Sequence, residues 1–370
     1  MRMRAMSVVL LVACMATSIQ AQDAQSQLAR LKAVGKEGAG HVDAMKAYKD
    51  LTTRDSAVLP AVLAAMDDAS PLAVNWLRGA YEVILDRALA SGKTVSKSDL
   101  EAFLRDQKHV GVARRLAYET LTRLDPSTPE RLLPTMLDDS GSELRRDAID
   151  LLLAKTKSIK DDAELRDIYK KALHHAREKD QVTKIADQLK KLGAPIDLTK
   201  QFGFVTRWSC VGPFENANGV GFAATYPPDS AIDLKSELSA KEKQTVKWQE
   251  HVTEAPMGLV DFNKIIAPLH GAVGYAHAVV ESPTDRAVEL RAGSNNAIRI
   301  RLNGKEIYFR EEYHHGMVMD QHVGKAILKA GRNEIVVKVC QNEQTDSWAQ
   351  QWSFQLRICD HLGGAVPFGN

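Results

Sequence analysis

The side chains that could do chemistry gather late in this chain. Trp348 and Trp352 share a polar stretch with Asn342, Gln350 and Gln351. Tyr313, His314, His315, Asp320, Gln321 and His322 form a second group. Exposed indole and phenol rings stack on sugar faces, and amides and carboxylates bond hydroxyls. Tyr313, Asp320, Gln321, Trp348 and Trp352 are therefore the candidate ligand-binding set. The imidazoles with Asp320 are the densest metal-capable group. Their spacing matches no closed metal site, so neither a metal nor a cofactor is expected.

Catalytic patterns fail on inspection. Ser91-Gly92-Lys93-Thr94 ends like a phosphate-binding loop, but Arg87 occupies the earlier glycine position. Gly219 and Gly221 lack the third glycine of a dinucleotide site. The sequence has no HExxH, GxSxG or paired CxxC. A glycosidase needs two positioned carboxylates; Glu311 and Glu312 are adjacent and would face opposite ways on a strand. The expected role is non-catalytic binding. A structural scaffold is the alternative, and a hydrolase acting around Glu215 and Asp229 is a third reading.

The elements that must position these residues begin with the stretch Ala287 to Phe309. Asn303-Gly304 separates two alternating runs and suits a type I′ turn, whose central residues both need positive φ. A two-residue loop pairs Leu302 with Lys305, Arg301 with Glu306, Ile300 with Ile307, Arg299 with Tyr308 and Ile298 with Phe309. That register predicts Ile298, Ile300, Leu302, Ile307 and Phe309 on the core face of an antiparallel sheet. Other strands are expected at Phe202–Val211, Tyr275–Val280, Ala287–Arg291, Val323–Leu328, Glu334–Cys340 and Ser353–Ile358. Eight short strands with frequent turns mean a sandwich or barrel.

Residues 22 to about 195 are instead helix-forming. Ser70-Pro71 and Thr128-Pro129 read as helix starts. Ser98 to Glu101 and Asp161 to Glu164 have capping-box spacing. Three segments beginning at Met66, Leu104 and Met136 each combine an Asp-bearing turn with a helix, and align Trp76, Arg115 and Arg146. Their spacings suit helix-pair solenoids, whose periods run roughly 30 to 47 residues. Arg114, Arg115, Arg145 and Arg146 could line a concave face for a protein partner.

Composition is that of an ordinary globular chain: 370 residues, 44% hydrophobic, 26% charged and a net charge of +2. The weak charge and the lack of a polybasic block argue against a nucleic-acid partner. Residues 1–21 read as a signal peptide, with Arg2 and Arg4 before a short apolar run and cleavage after Ala21. Export to the periplasm or beyond follows, with lipidation at Cys14 as the minority alternative. No later stretch suits a membrane helix. Cys210, Cys340 and Cys359 then remain, and Cys340 and Cys359 are either bridged or free.

The segment from about 55 to 195 resembles HEAT-type repeats. LNGKEIYF, DQHVGKAILKAGRNEIVVKVCQ and WSFQLRI resemble jelly-roll modules of the galactose-binding-like group, and WSCVGPFENANGVGFAATYPPD resembles a leader preceding that module in exported bacterial proteins. These resemblances imply an α+β multidomain chain: residues 22–198 a HEAT-like solenoid, residues 202–370 an antiparallel β-sandwich (jelly roll). They also imply a binding role, with a glycan as candidate ligand on the sandwich loops.

Overall fold

The computed structural model describes residues 23–369. The expected signal peptide and Cys14 lie outside them. Helices occupy the first part and antiparallel sheets the second. The chain divides into two compact units, one ending at Glu178 and the other starting at Lys179. Among the described residues, no helix is long and apolar enough to cross a membrane.

The first unit is a run of helices: α1 (residues 23–32), α2 (His41–Thr52), α3 (Leu59–Ala64), α4 (Pro71–Ala90), α5 (Lys97–Arg105), α6 (Gly111–Leu124), α7 (Thr128–Leu132), α8 (Ser142–Ala154) and α9 (Asp162–His175). The long members α4 and α6 each follow a shorter helix that packs against them, and α8 packs on the single turn Leu133–Thr135 that continues α7. The capping chemistry is partly as expected. Ser70 Oγ accepts from Ala73 N–H, and Asp161 accepts from Glu164 N–H. At α5 the cap is Ser96, two residues before the predicted Ser98. Thr128 does not cap α7; its hydroxyl is buried and donates to the Leu121 carbonyl.

Of the arginines expected on a concave face, Arg114 and Arg145 are instead 1% and 3% exposed. Arg114 forks onto Asp139, Arg145 reaches the Asp139 carbonyl and Glu178, and Arg115 pairs with Glu119 and Asp147. Asp67 and Asp138, from the Asp-bearing turns, take His109, ahead of α6, and His175, at the end of α9. These polar residues thus join one helix to another.

The second unit begins with α10 (Lys179–Lys191) and α11 (Leu198–Phe202). Asp197 caps α11 and Gly203 ends it at φ 76°, so the predicted first strand starts late. Its strands are β1 (Arg207–Glu215), β2 (Glu237–Ser239), β3 (Thr245–Lys247), β4 (Gln249–Val252), β5 (Val260–Asp261), β6 (Ala272–Ser282), β7 (Arg286–Ser294), β8 (Ala297–Leu302), β9 (Lys305–Arg310), β10 (His322–Leu328), β11 (Gly331–Gln341) and β12 (Ser353–Cys359). One sheet runs β4-β1-β6-β11-β8-β9, the other β10-β7-β12-β5, with β2 and β3 a separate ribbon. All pairings are antiparallel. Ile298, Ile300, Ile335, Val337 and Val339 of the first sheet and Leu290, Phe354, Leu356 and Ile358 of the second share one apolar core. That is a two-layer sandwich whose sheets remain open.

The hairpin turn is as predicted, with Asn303 at φ 51° and Gly304 at φ 77°. Leu302 pairs with Lys305 and Arg301 with Glu306, but a bulge follows, and Ile300 then faces Tyr308 and Ile298 faces Arg310. Ile307 is the extra residue. Beyond it the parity reverses, and Phe309, expected in the core, is 61% exposed. The three cysteines are free and buried.

A second apolar layer covers the outer face of the six-stranded sheet. Phe222, Tyr226, Leu238, Val246 and Trp248 pack on Val211, Phe214, Tyr275 and Cys340. This strap is pinned by Asp229, which accepts from Tyr275 Oη at 2.5 Å and pairs with Arg301 at 3.0 Å and Lys338 at 3.4 Å. Burial pushes the Lys338 ammonium below its ordinary range and the Tyr275 phenol above its own.

Candidate functional site

The loop between β11 and β12 presents Trp348 to solvent at 62% exposure. The loop is braced from within. Ala349 N–H bonds the Asp346 carbonyl, Gln350 Nε2 donates to the Thr345 and Asp346 carbonyls, and Asn263 Nδ2 donates to the Gln350 carbonyl. His314, from the β9–β10 connection, sits edge-on to the indole with ring centres 5.8 Å apart at 88°. Its Nε2 donates to Asn342 Oδ1, which also takes Gln344 N–H. His314 is left-handed at φ 54°, and its backbone N–H is held by Asn296 Oδ1. An exposed indole thus stands on a fixed frame of imidazole and amide.

Tyr313 lies beside His314, half-buried, with its hydroxyl accepting from Asn216 Nδ2 at 3.5 Å. Burial pushes its phenol up to about 12. Asn216 is fully buried, and its Oδ1 has no partner, nor has Gln341 Oε1.

The other predicted members go elsewhere. Trp352 is 0% exposed, donates Nε1–H to the Val339 carbonyl and packs on Phe262. It is core and touches no ligand. Gly274 makes its slot: a Cβ there would lie 2.9 Å from the indole. Asp320 is consumed by two guanidiniums, bonding Arg357 at 2.6 and 2.5 Å and Arg291 at 2.9 Å. Burial raises its carboxyl, but the two arginines outweigh that and hold it below the usual carboxylate range. Gln321 accepts from Ser294 N–H and donates to His315 Nδ1. The five predicted residues therefore do not converge; only Trp348 and Tyr313 share a neighbour, His314. Among the described residues there is no group of three or more His, Cys, Asp or Glu that could hold a metal ion.

The two carboxylates of the hydrolase reading stand in different settings. Asp229 is the strap's buried anchor, whereas Glu215 accepts the Asn216 and Ala217 N–H groups beside Lys241 with its side chain partly in solvent.

His322 is 4% exposed, bonds Tyr308 Oη through Nδ1 at 3.0 Å and leaves Nε2 without a partner. Burial, then His315, lowers it from 6.5 to about 4. A depressed histidine stabilises the fold fully above its unfolded value, and that contribution is lost as pH falls from about 6.5 toward 4. We expect unfolding free energy to drop by up to about 2 kcal/mol between pH 7.5 and 5 from this group. Urea midpoints for the wild type and His322→Gln check it; the variant should lose that part of the slope.

Comparison with known proteins gives no family: no family model matches, nor does any curated protein. Among solved structures, an anti-sigma factor domain-containing protein matches 44% of this chain and 49% of its own, at 11% identity and a TM-score of 0.24. An alpha-xylosidase from Xanthomonas citri matches 30% and 15%, at 13% identity and TM-score 0.20. A beta-glucosidase from Kluyveromyces marxianus matches 78% and 36%, at 11% identity and TM-score 0.27. The chain spans about half or less of each. Likeness this low carries no argument about function.

Proposed function

We propose that this is an exported, non-catalytic recognition protein. Its sandwich, a module of the galactose-binding-like kind, binds carbohydrate through Trp348, and its HEAT-like helices hold a protein partner. The observation that carries the reading is Trp348, an indole left in solvent on a braced loop with His314 set square against it. Indole rings stack on the apolar faces of sugars, and the braced loop presents this one already ordered, which lowers the cost of binding. Asn342 and Tyr313 offer amide and phenol groups for hydroxyls close by. Glycan-array and affinity-gel retention test it. Trp348→Ala should weaken binding at least tenfold, ~1.4 kcal/mol, while stability stays within about 0.5 kcal/mol. Equal retention of a genuine ligand by both proteins removes the site.

One observation favours a scaffold instead. β9 and β10 are edge strands, and they expose Phe309, Val323 and Ile327. Edge strands with apolar side chains invite protein partners. A stoichiometric partner captured by the wild type and lost with Phe309→Lys, with no glycan bound, would favour that reading.

A further inference from the structure

The connection between β9 and β10 passes from one sheet to the other and is closed by two imidazoles. His315 and His322 stand edge-on, ring centres 6.1 Å apart. Each has its Nδ1 engaged, His315 by Gln321 at 2.6 Å and His322 by Tyr308 at 3.0 Å. Each has a buried Nε2 without a partner.

Gln321 Oε1 accepts from Ser294 N–H, which turns its Nε2 toward His315 Nδ1 and the Gly316 carbonyl. That carbonyl also lies 3.4 Å from Nδ1. His315 is thus tied to the backbone of its own segment and presents its ring to the edge of His322.

His322 is closed in as firmly. Protonating it leaves a buried donor unpaired and sets a charge beside His315. Around it, β9 and its end bring Tyr308, Arg310 and Glu312; Arg310 and Glu312 bond each other at 3.0 Å. From β7, the register partner is Ala292, while Arg291 lies on the opposite face with Glu289 and Asp320. Among these neighbours no carboxylate is shown bonding either imidazole.

We propose that His322, set edge-on against His315, makes residues 311–321 an acid-released strap: the neutral His322 ring closes it, and protonation of that ring frees it while both sheets persist. The strap carries Tyr313 and His314, so acid would also dismantle the frame beside Trp348. The inference does not depend on a ligand.

Hydrogen exchange of the whole chain at pH 7.5 and 5, corrected for intrinsic rates, tests it. Peptides within 311–321 should lose protection by about twentyfold or more and at pH 5 stand well below those of β11, which open only with the whole unit. The double variant His315→Gln/His322→Gln should remain protected at both pH values. Unchanged exchange of the wild-type strap at pH 5 overturns the proposal, as does a strap still as protected as β11 at that pH. Should the variant not fold, NMR of the wild type decides: a loss of strap protection that follows the titration of the His322 imidazole supports the proposal, and a His322 that titrates at an ordinary 6.5 with the strap still closed overturns it.

Discussion

Asp320→Asn should destabilise the second unit by about 3–5 kcal/mol, the cost of breaking a buried ion pair from one side. Arg357 is 1% exposed on β12. Its Nε and Nη2 both end on Asp320, and its Nη1 donates to the Phe202 and Gly363 carbonyls. Asparagine keeps the shape and tolerates the left-handed backbone at φ 63°. It turns an acceptor pair into one acceptor and one donor aimed at a guanidinium. Arg357 would then keep its charge in the interior with only Arg291, also cationic, beside the same group. Guanidinium chloride midpoints measure the loss. A companion Asp320→Asn/Arg357→Leu protein should recover part of it, since no buried charge is stranded. A loss below about 1 kcal/mol in the single variant would show the triad to be dispensable. Acid should act in the same direction: a depressed carboxylate contributes above its unfolded value near 3.8 and loses that contribution as pH falls lower.

The parts of this architecture that could be read from sequence were those encoded locally. Asn303-Gly304 names its turn because few residue pairs accept two positive φ angles. Ile335, Val337 and Val339 declare their face by period two. Ser70 and Asp161 declared helix starts, and both cap as expected. Interactions across long separations were hidden. The bulge at Ile307 is set by the opposite sheet, where Gly324 leaves room for the Ile307 side chain and His322 takes the Tyr308 hydroxyl. No pattern within β9 carries that information. Trp348 and Trp352 stand four apart in one polar loop, and only Gly274 and Phe262 decide that the second is core. Asp320 looked available until Arg357, 37 residues on, was brought against it. The strap from Phe222 to Trp248 has almost no periodicity, so its layer could not be foreseen.

The same distinction governs the largest effect expected in the first unit, that of Asp139→Asn. Asp139 and Arg114 are 2% and 1% exposed. The carboxylate receives Nη1 at 2.7 Å, Nη2 at 2.5 Å and the Gly141 N–H at 2.8 Å. Arg114 further donates to the Leu104 carbonyl from Nε. The pair ties α6 to the turn ahead of α8, where Gly111 and Gly141 let the backbones approach: a Cβ on Gly111 would lie 3.1 Å from the Gly141 Cα. Arg145 secures the same turn from the next helix through the Asp139 carbonyl. Here α6 meets α8 through this buried pair and its turn, so a defect should loosen that interface as well as weaken the unit. We expect a loss of about 3–5 kcal/mol and a broader far-ultraviolet thermal transition, with α4 to α6 and α8 to α9 no longer melting together. Replacing both partners, Arg114→Leu with Asp139→Leu, should restore much of the midpoint, because what is costly is the unpaired charge and not the absence of the pair. A single, sharp transition at the wild-type midpoint in Asp139→Asn would mean that the apolar contacts alone couple these helices.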